Sequence, residues 1–385
     1  MSKYFSSSFK LGILGGGQLG KMLIQAGSCF DLNVVVLDGD PNCSAAHLAN
    51  TFCQGSLKDF DDVYNFGKSV NLLTIEIEHI NIDALLKLKA EGLKIHPDPL
   101  SLEIICDKGK QKEFYYINKL PTAKFQLLNN KDEVLVAIEE QKIKFPFVQK
   151  SRKDGYDGRG VVVIKNNQEI SKLFDTACVI EEAITIDKEI AVIVARNESG
   201  EIKAYEPVEM EFDENANLVK QLICPADIGA NLKNEAIDLA KQVVEKLNIC
   251  GLLAVEMFLT KSGEILINEV APRPHNSGHH TIESSITSQY EQHFRGILNL
   301  PLGSTKQVCP AIMINLLGEE GYSGPVYYEG LNEVLKIEGV KIHIYGKKET
   351  RPFRKMGHIT IIDNCLDNAK EKANKIRSIL TVKSI

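Results

Sequence analysis

The chain has 385 residues, more than one hydrophobic core usually serves, so two or three domains are expected. With 44% hydrophobic and 25% charged residues it has a globular composition, and a formal net charge of −6 gives no global attraction to nucleic acid or an anionic membrane. No apolar run reaches the ~18 residues of a membrane span. The first ten residues lack a signal peptide's apolar core. Nine scattered cysteines without CxxC spacing argue against a disulfide framework or a zinc site and for a reducing cytoplasm.

In chain order, residues 9–14 read as a strand that runs into the glycine-rich segment 15–20, followed by a helix over 21–26. A second strand, 33–37, ends at Asp38. Gly15, Gly17 and Gly20 match GxGxxG, with an acid 18 residues on. Three readings stay open there: NAD(P), another phosphorylated ligand, or a structural turn. A third strand over 71–77 leads to Glu76, Glu78 and His79, then a helix over 82–90 and a strand ending at Ile95. This alternation predicts an open parallel sheet with helices on both faces and ligands beyond its carboxyl edge.

Pro97, Asp98 and Pro99 break the pattern, and 101–120 reads as one charged, solvated helix. An α+β region follows: strand 125–128, helix 132–141, strand 147–150. Segment 152–160 sets Gly155, Gly158 and Gly160 among basic residues between two strands. A flap that folds over phosphates explains that composition better than a plain hairpin. It is not a Walker A loop. Strand 179–184 ends in acids, with Glu189 beyond it, and strands over 190–196 and 204–209 continue an antiparallel sheet before a helix over 237–246.

Strands 253–259 and 264–270 read as a hairpin turning at Ser262-Gly263. A two-residue loop places Glu256 opposite Glu269, where the two carboxylates repel by about 3 kcal/mol at ~5 Å and an effective dielectric of ~20. A divalent cation between them removes that repulsion, and two carboxylates with Asn268 adjacent suit Mg²⁺. The alternative is a solvated outer face. The polar loop after it carries Arg273, His275, Asn276, His279 and His280, followed by a helix over 281–298. Beyond Pro301 a smaller region holds strands 311–316, 340–345 and 356–362 and a helix over 367–380. Residues 341–358 contain six Lys/Arg against one Glu, better suited to a small phosphate than to nucleic acid.

An open α/β domain, a glycine flap preceded by Lys150 and a carboxylate pair fit for Mg²⁺ together resemble the ATP-grasp architecture. Within it, ILGGGQLGKML, GYDGRG, INEVAPRPHNSGHHTIE and YGKKETRPFRKMGH resemble the 5-(carboxyamino)imidazole ribonucleotide synthetases over residues 10–365. Arg159, where the flap often carries Lys, and a longer N-terminal extension are mild departures. The resemblance implies three parts: an N-terminal α/β domain (1–100), an ATP-grasp domain (101–305, flap subdomain 121–185) and a small, mostly β C-terminal domain (306–385). It implies a cytoplasmic, homodimeric ligase of purine synthesis that uses ATP and Mg²⁺ to carboxylate 5-aminoimidazole ribonucleotide with bicarbonate, without nucleic acid or membrane.

Carried onto this sequence, Lys108, Lys150, Gly155, Tyr156, Asp157, Gly158, Arg159 and Gly160 hold ATP phosphates. Glu181, Glu182, Ala183 and Ile184 meet adenine largely through backbone groups, and Glu189 the ribose. Glu256 and Glu269 bind Mg²⁺ with Asn268 alongside. Tyr156, Asp157, Arg273, His275, Asn276, Lys347 and Arg354 surround the carboxylating centre and the ribonucleotide phosphate, with Gly17, Gln18, Leu19 and Glu76 opposite. Asp157 is the candidate acceptor of the amine proton. The competing expectations are a formate-using glycinamide ribonucleotide transformylase or biotin carboxylase, an NAD(P)-dependent oxidoreductase, and a catalytically dead nucleotide-binding regulator.

Overall fold

Short apolar strands alternating with amphipathic helices build the first hundred residues. In the computed structural model, which describes residues 3–153, 160–212 and 219–385, these strands are β1 (Lys10–Leu14), β2 (Asn33–Asp38), β3 (Thr51–Gln54), β4 (Leu72–Ile75) and β5 (Lys94–Ile95). They pair in parallel, as expected, and the order is β3-β2-β1-β4-β5, in which β3 has no counterpart in the sequence reading. α1 (Gln18–Gly27) covers one face, and α2 (Phe60–Lys68) and α3 (Ile82–Ala90) cover the other.

The charged stretch expected as one helix is two, α4 (Pro99–Ile105) and α5 (Lys108–Ile117). Asp107 makes the break: its Oδ1 accepts the N–H groups of Gly109 and Lys110 and so caps α5. The helix is not solvated all round either, since Lys112 is buried.

β6 (Phe125–Leu128), β7 (Phe147–Ser151), β8 (Val161–Ile164) and β9 (Cys178–Glu182) form a four-stranded antiparallel sheet of order β6-β9-β7-β8, packed on α6 (Lys131–Glu139). The predicted flap residues Gly155, Tyr156, Asp157, Gly158 and Arg159 lie outside the described residues. Gly160 lies inside them, and its carbonyl accepts the Ser151 N–H at 2.8 Å.

The long sheet comes next. β10 (Ile186–Arg196), β11 (Ile202–Ala204), β12 (Val208–Phe212) and β13 (Val219–Cys224) precede α7 (Ala230–Lys246), whose apolar positions Ala236, Leu239, Ala240, Val243 and Val244 make one stripe. β14 (Gly251–Thr260) and β15 (Ile265–Ala271) follow. The helix expected over 281–298 is two pieces, α8 (Thr281–Ser284) and α9 (Gln289–Ile297), because Ser288 caps a new helix by accepting the Glu291 N–H.

The C-terminal part adds β16 (Ala311–Leu317), β17 (Gly324–Glu329), α10 (Leu331–Val334), β18 (Val340–Ile344), β19 (Glu349–Thr350), β20 (Lys355–Ile362), α11 (Leu366–Ile379) and β21 (Thr381–Ser384). β16, β20 and β18 extend the long sheet through β13, in the order β15-β14-β10-β12-β13-β16-β20-β18. One hydrogen-bonded sheet therefore runs from the carboxylate hairpin to the strands that flank the basic segment. α9 in turn shares a core with α1 through Tyr290, Phe294 and Ile297, which fixes the first sheet against the long one. Among the described residues no helix is long and apolar enough to cross a membrane.

Candidate active site

Strand alternation decides which side chains face the site. Ile190, Val192, Val255 and Met257 sit in the core against α7, so Glu189, Glu256 and Phe258 take the other face of the sheet. In β15 the buried set is Ile265, Ile267 and Val270, a spacing of two and then three. The extra residue is a β-bulge, where the register changes between Glu256↔Glu269 and Met257↔Ile267. Asn268 and Glu269 thus both face the site, two consecutive residues on one side.

The predicted opposition of Glu256 and Glu269 is present, but not through the expected two-residue turn. Thr260 pairs with Glu264 around a three-residue loop, Lys261-Ser262-Gly263, with Gly263 at φ 85°. A loop of that length alone would put Asn268 opposite Glu256. The bulge restores the carboxylate.

Lysines converge on this face. Lys108 pairs with Glu269. Lys150 donates to Asn268 Oδ1 at 2.8 Å, lies 3.0 Å from Glu181 Oε2 and sits over the Phe258 ring. Lys150 thereby bridges the four-stranded sheet and the long sheet. Glu181 is 2% exposed, so its side chain is a buried counter-ion for Lys150 and Lys112, not a ligand group. Burial depresses Lys112 to about 8 against the opposing pull of Glu181. Glu182 pairs with Lys124 on the surface. Ala183 and Ile184 form the crossing between the two sheets, where the Ala183 N–H reaches the Pro146 carbonyl.

The carboxylates differ sharply. Burial, with Glu269 and Glu189 adding to it, holds Glu256 well above the usual carboxylate range, whereas Lys108 holds Glu269 below it. Glu189 is pushed up to about 7 by burial, against the pull of Lys150. His275 Nε2 stands 3.3 Å from Glu256 Oε1, and its Nδ1 bonds to Ser277 Oγ at 2.8 Å.

A cleft of about 2070 Å³ gathers twelve of the predicted residues. The first sheet contributes Gly17, Gln18, Leu19 and Glu76; the central region contributes Lys108, Glu256, Glu269, Arg273, His275 and Asn276; the C-terminal segment contributes Lys347 and Arg354. Lys150, Gly160, Glu181, Glu182, Ala183, Ile184, Glu189 and Asn268 do not line it. Arg273 Nε lies 2.9 Å from Glu78 Oε2, Lys347 donates to the Lys355 carbonyl, and Arg354 donates to the Glu349 carbonyl. Sequence reasoning missed Lys112, Arg351 and Lys355. The spacing of Lys108, Lys112 and Tyr115, at i, i+4 and i+7, was the available signal for Lys112.

The glycine loop is occupied by the chain itself. Glu76 accepts the Gly17 and Gly20 N–H groups at 2.8 and 3.0 Å, and Asp38 accepts Gly16 N–H at 2.7 Å. A dinucleotide pyrophosphate would meet two carboxylates where it needs amides. The fingerprint reading therefore fails at this loop, and Glu76 holds the loop from a place on the cleft wall.

The donor set fits a hard divalent cation, with two carboxylates of depressed and raised proton affinity and an amide oxygen beside them. Among the described residues no three His, Cys, Asp or Glu side chains converge as metal ligands. The remaining oxygens would come from a phosphate or water.

Family models match in three consecutive blocks: a ribonucleotide synthetase preATP-grasp domain at 9–106, an ATP-grasp domain at 113–290 and a phosphoribosylaminoimidazole carboxylase C-terminal domain at 311–372. Fold and site together are those of an ATP-grasp ligase. N5-carboxyaminoimidazole ribonucleotide synthase of Bacillus subtilis is 36% identical over 356 residues, covering 91% of each chain. The corresponding synthetase structure from Thermotoga maritima has 45% identity and a TM-score of 0.90, covering 98% of this chain and 100% of that one. The chain belongs to the N5-carboxyaminoimidazole ribonucleotide synthase family. A further structure, from Aspergillus clavatus in complex with ADP and 5-aminoimidazole ribonucleotide, has 30% identity and a TM-score of 0.88 over 96% of this chain and 98% of that one. The chloroplastic phosphoribosylaminoimidazole carboxylase of Vigna aconitifolia is 41% identical over 367 residues, 93% of this chain and 65% of that protein, so the chain spans about two thirds of that relative.

Proposed function

We propose that this chain carboxylates the exocyclic amine of 5-aminoimidazole ribonucleotide, using ATP and bicarbonate and yielding ADP, phosphate and 5-(carboxyamino)imidazole ribonucleotide. The observation that carries the reading is the single cleft joining the Glu256/Glu269 pair to the basic segment with Lys347 and Arg354. One end suits a metal-bound triphosphate and the other a ribonucleotide phosphate.

ATP transfers its γ-phosphoryl group to bicarbonate, forming carboxyphosphate, which releases CO₂ to the amine. Lys108 and Lys150 supply positive charge to the phosphates, and Glu189 meets the ribose hydroxyls. Mg²⁺, held by Glu256 and Glu269 with Asn268 alongside, would neutralise charge on the transferring group. Asn268 keeps Lys150 beside the carboxylates. Arg273, His275, Asn276, Lys347 and Arg354 hold the ribonucleotide and the carboxylating centre. The flap, with Asp157 as acceptor of the amine proton, excludes water from carboxyphosphate. A homodimer in a reducing cytoplasm completes the reading, in keeping with nine cysteines that all stand as free thiols.

The test is phosphate release from Mg-ATP in CO₂-depleted buffer. Release that needs both bicarbonate and 5-aminoimidazole ribonucleotide supports the proposal. Release driven by formate and glycinamide ribonucleotide would move the substrate, and no release with either set would favour a regulator.

A further inference from the structure

Lys112 lies on α5 with its side chain 4% exposed, out of reach of the cleft. Its Nζ lies 3.1 Å from Glu181 Oε1 and donates to Thr122 Oγ1 at 2.6 Å. Thr122 passes the link on: its hydroxyl donates to the Ile267 carbonyl at 2.8 Å. Ile267 immediately precedes the bulge residue Asn268, whose Oδ1 accepts from Lys150. Lys150 in turn faces the second oxygen of Glu181 at 3.0 Å. The contacts close a ring: Lys112, Thr122, Ile267, Asn268, Lys150, Glu181 and back to Lys112.

The ring joins four separate pieces of chain: α5, the segment before β6, the bulge of β15 and the β7/β9 pair. Each link fixes something the reaction needs. Glu181, a carboxylate buried between two lysines, sets where Lys150 stands. Ile267 sets where the bulge puts Asn268 and Glu269. A buried lysine is a costly tether unless fully paired, and this one has both an anion and a hydroxyl.

We propose that Lys112 is a positioning residue for the nucleotide half of the site, which fixes Lys150 and the Asn268–Glu269 bulge relative to one another without touching substrate. The inference rests on the proposed ATP-dependent reaction. It predicts a specific asymmetry, because no link of the ring reaches Lys347, Arg354 or the glycine loop.

The experiment is steady-state phosphate release with each substrate varied in turn. Lys112→Met should raise the KM for ATP about tenfold or more while the KM for 5-aminoimidazole ribonucleotide stays within about twofold. Lys112→Arg, which keeps the charge, should recover most of the ATP affinity. Where Lys112→Met fails to fold because Glu181 Oε1 is left without its cation, Thr122→Val opens the same ring at a neutral link and should raise the KM for ATP about threefold or more. A fall in kcat with both KM values unchanged would mean a merely structural lysine and would overturn the inference. So would an equal rise in both KM values. A wild-type chain without ATP-dependent turnover would overturn the functional reading and this inference together, whereas normal wild-type turnover with an unchanged ATP KM in both variants overturns this inference alone.

Discussion

Glu256 faces Glu269 across the β14/β15 ladder because Asn268 is bulged out of the pairing instead of standing opposite Glu256 itself. The insertion adds one site-facing amide and leaves every other side chain in phase, with Ile265, Ile267 and Val270 all still in the α7 core. The structure thus sets like charges together deliberately and spaces a lysine anchor beside them. Glu269→Ala is expected to lower Mg²⁺-dependent turnover by on the order of 10² or more. Turnover near wild type at saturating Mg²⁺ would remove the metal assignment.

Deleting Asn268 tests the bulge itself. Without it, Glu269 still falls opposite Glu256 and the apolar residues keep their faces, so the thermal midpoint should move little. Lys150 loses the amide it donates to. Activity should therefore drop about tenfold or more while the fold survives. A deletion variant that is fully active shows that the bulge has no part in catalysis.

Cation binding should displace a proton. Glu256 is held toward its protonated form by burial and by Glu269 and Glu189, and a divalent cation at the pair favours the ionised form. Calorimetry of Mg-ATP binding at pH 7 in buffers of different ionisation enthalpy should report proton release, which Glu256→Gln should reduce. Identical heats in all buffers contradict this.

Glu189, with its carboxyl pushed up to about 7, carries a pH signature. The folded state binds this proton more tightly than the unfolded chain does, so stability falls as pH rises from the ordinary carboxylate range through about 7. Ligand-free Glu189→Gln should melt above wild type at pH 8, with the gain vanishing near pH 4. A constant offset across that range would show that Glu189 ionises normally.

The glycine loop makes a fifth prediction. Glu76 satisfies one half-buried and one buried amide, and a Cβ on Gly15, whose φ is +101°, would lie 2.5 Å from Glu76 Cγ. Glu76→Ala should cost about 1–3 kcal/mol through the two unpaired donors. Chemical denaturation measures it, and an unchanged midpoint would show that water replaces the carboxylate. Gly15→Ala should destabilise as well.

How much of this was legible in sequence follows from where each residue's constraint lies. The parallel sheet and the hairpin were readable because apolar alternation and βαβ order are local signals. Glu256 opposite Glu269 was readable too, although by a two-residue loop, whereas the structure reaches it through a three-residue loop plus a bulge. That error was invisible because loop length and bulge cancel. Lys112 was hidden by its charge, since a lysine in a Lys-rich segment reads as solvated until Glu181, 69 positions on, is placed beside it. β13 and β3 went unseen because each is defined by its partner strands more than by its own pattern. Asp107 splits the expected helix by capping, a role that a lone Asp among lysines did not announce.

The most direct measurement follows the carbon. The chain is incubated with ¹³C-bicarbonate, Mg-ATP and 5-aminoimidazole ribonucleotide, and the carbamate carbon and ADP are quantified together by NMR. The expected result is a labelled carbamate formed in equal amount to ADP and lost when any one component is left out. ADP formed without labelled carbamate, or carbamate formed at the uncatalysed level, would contradict it.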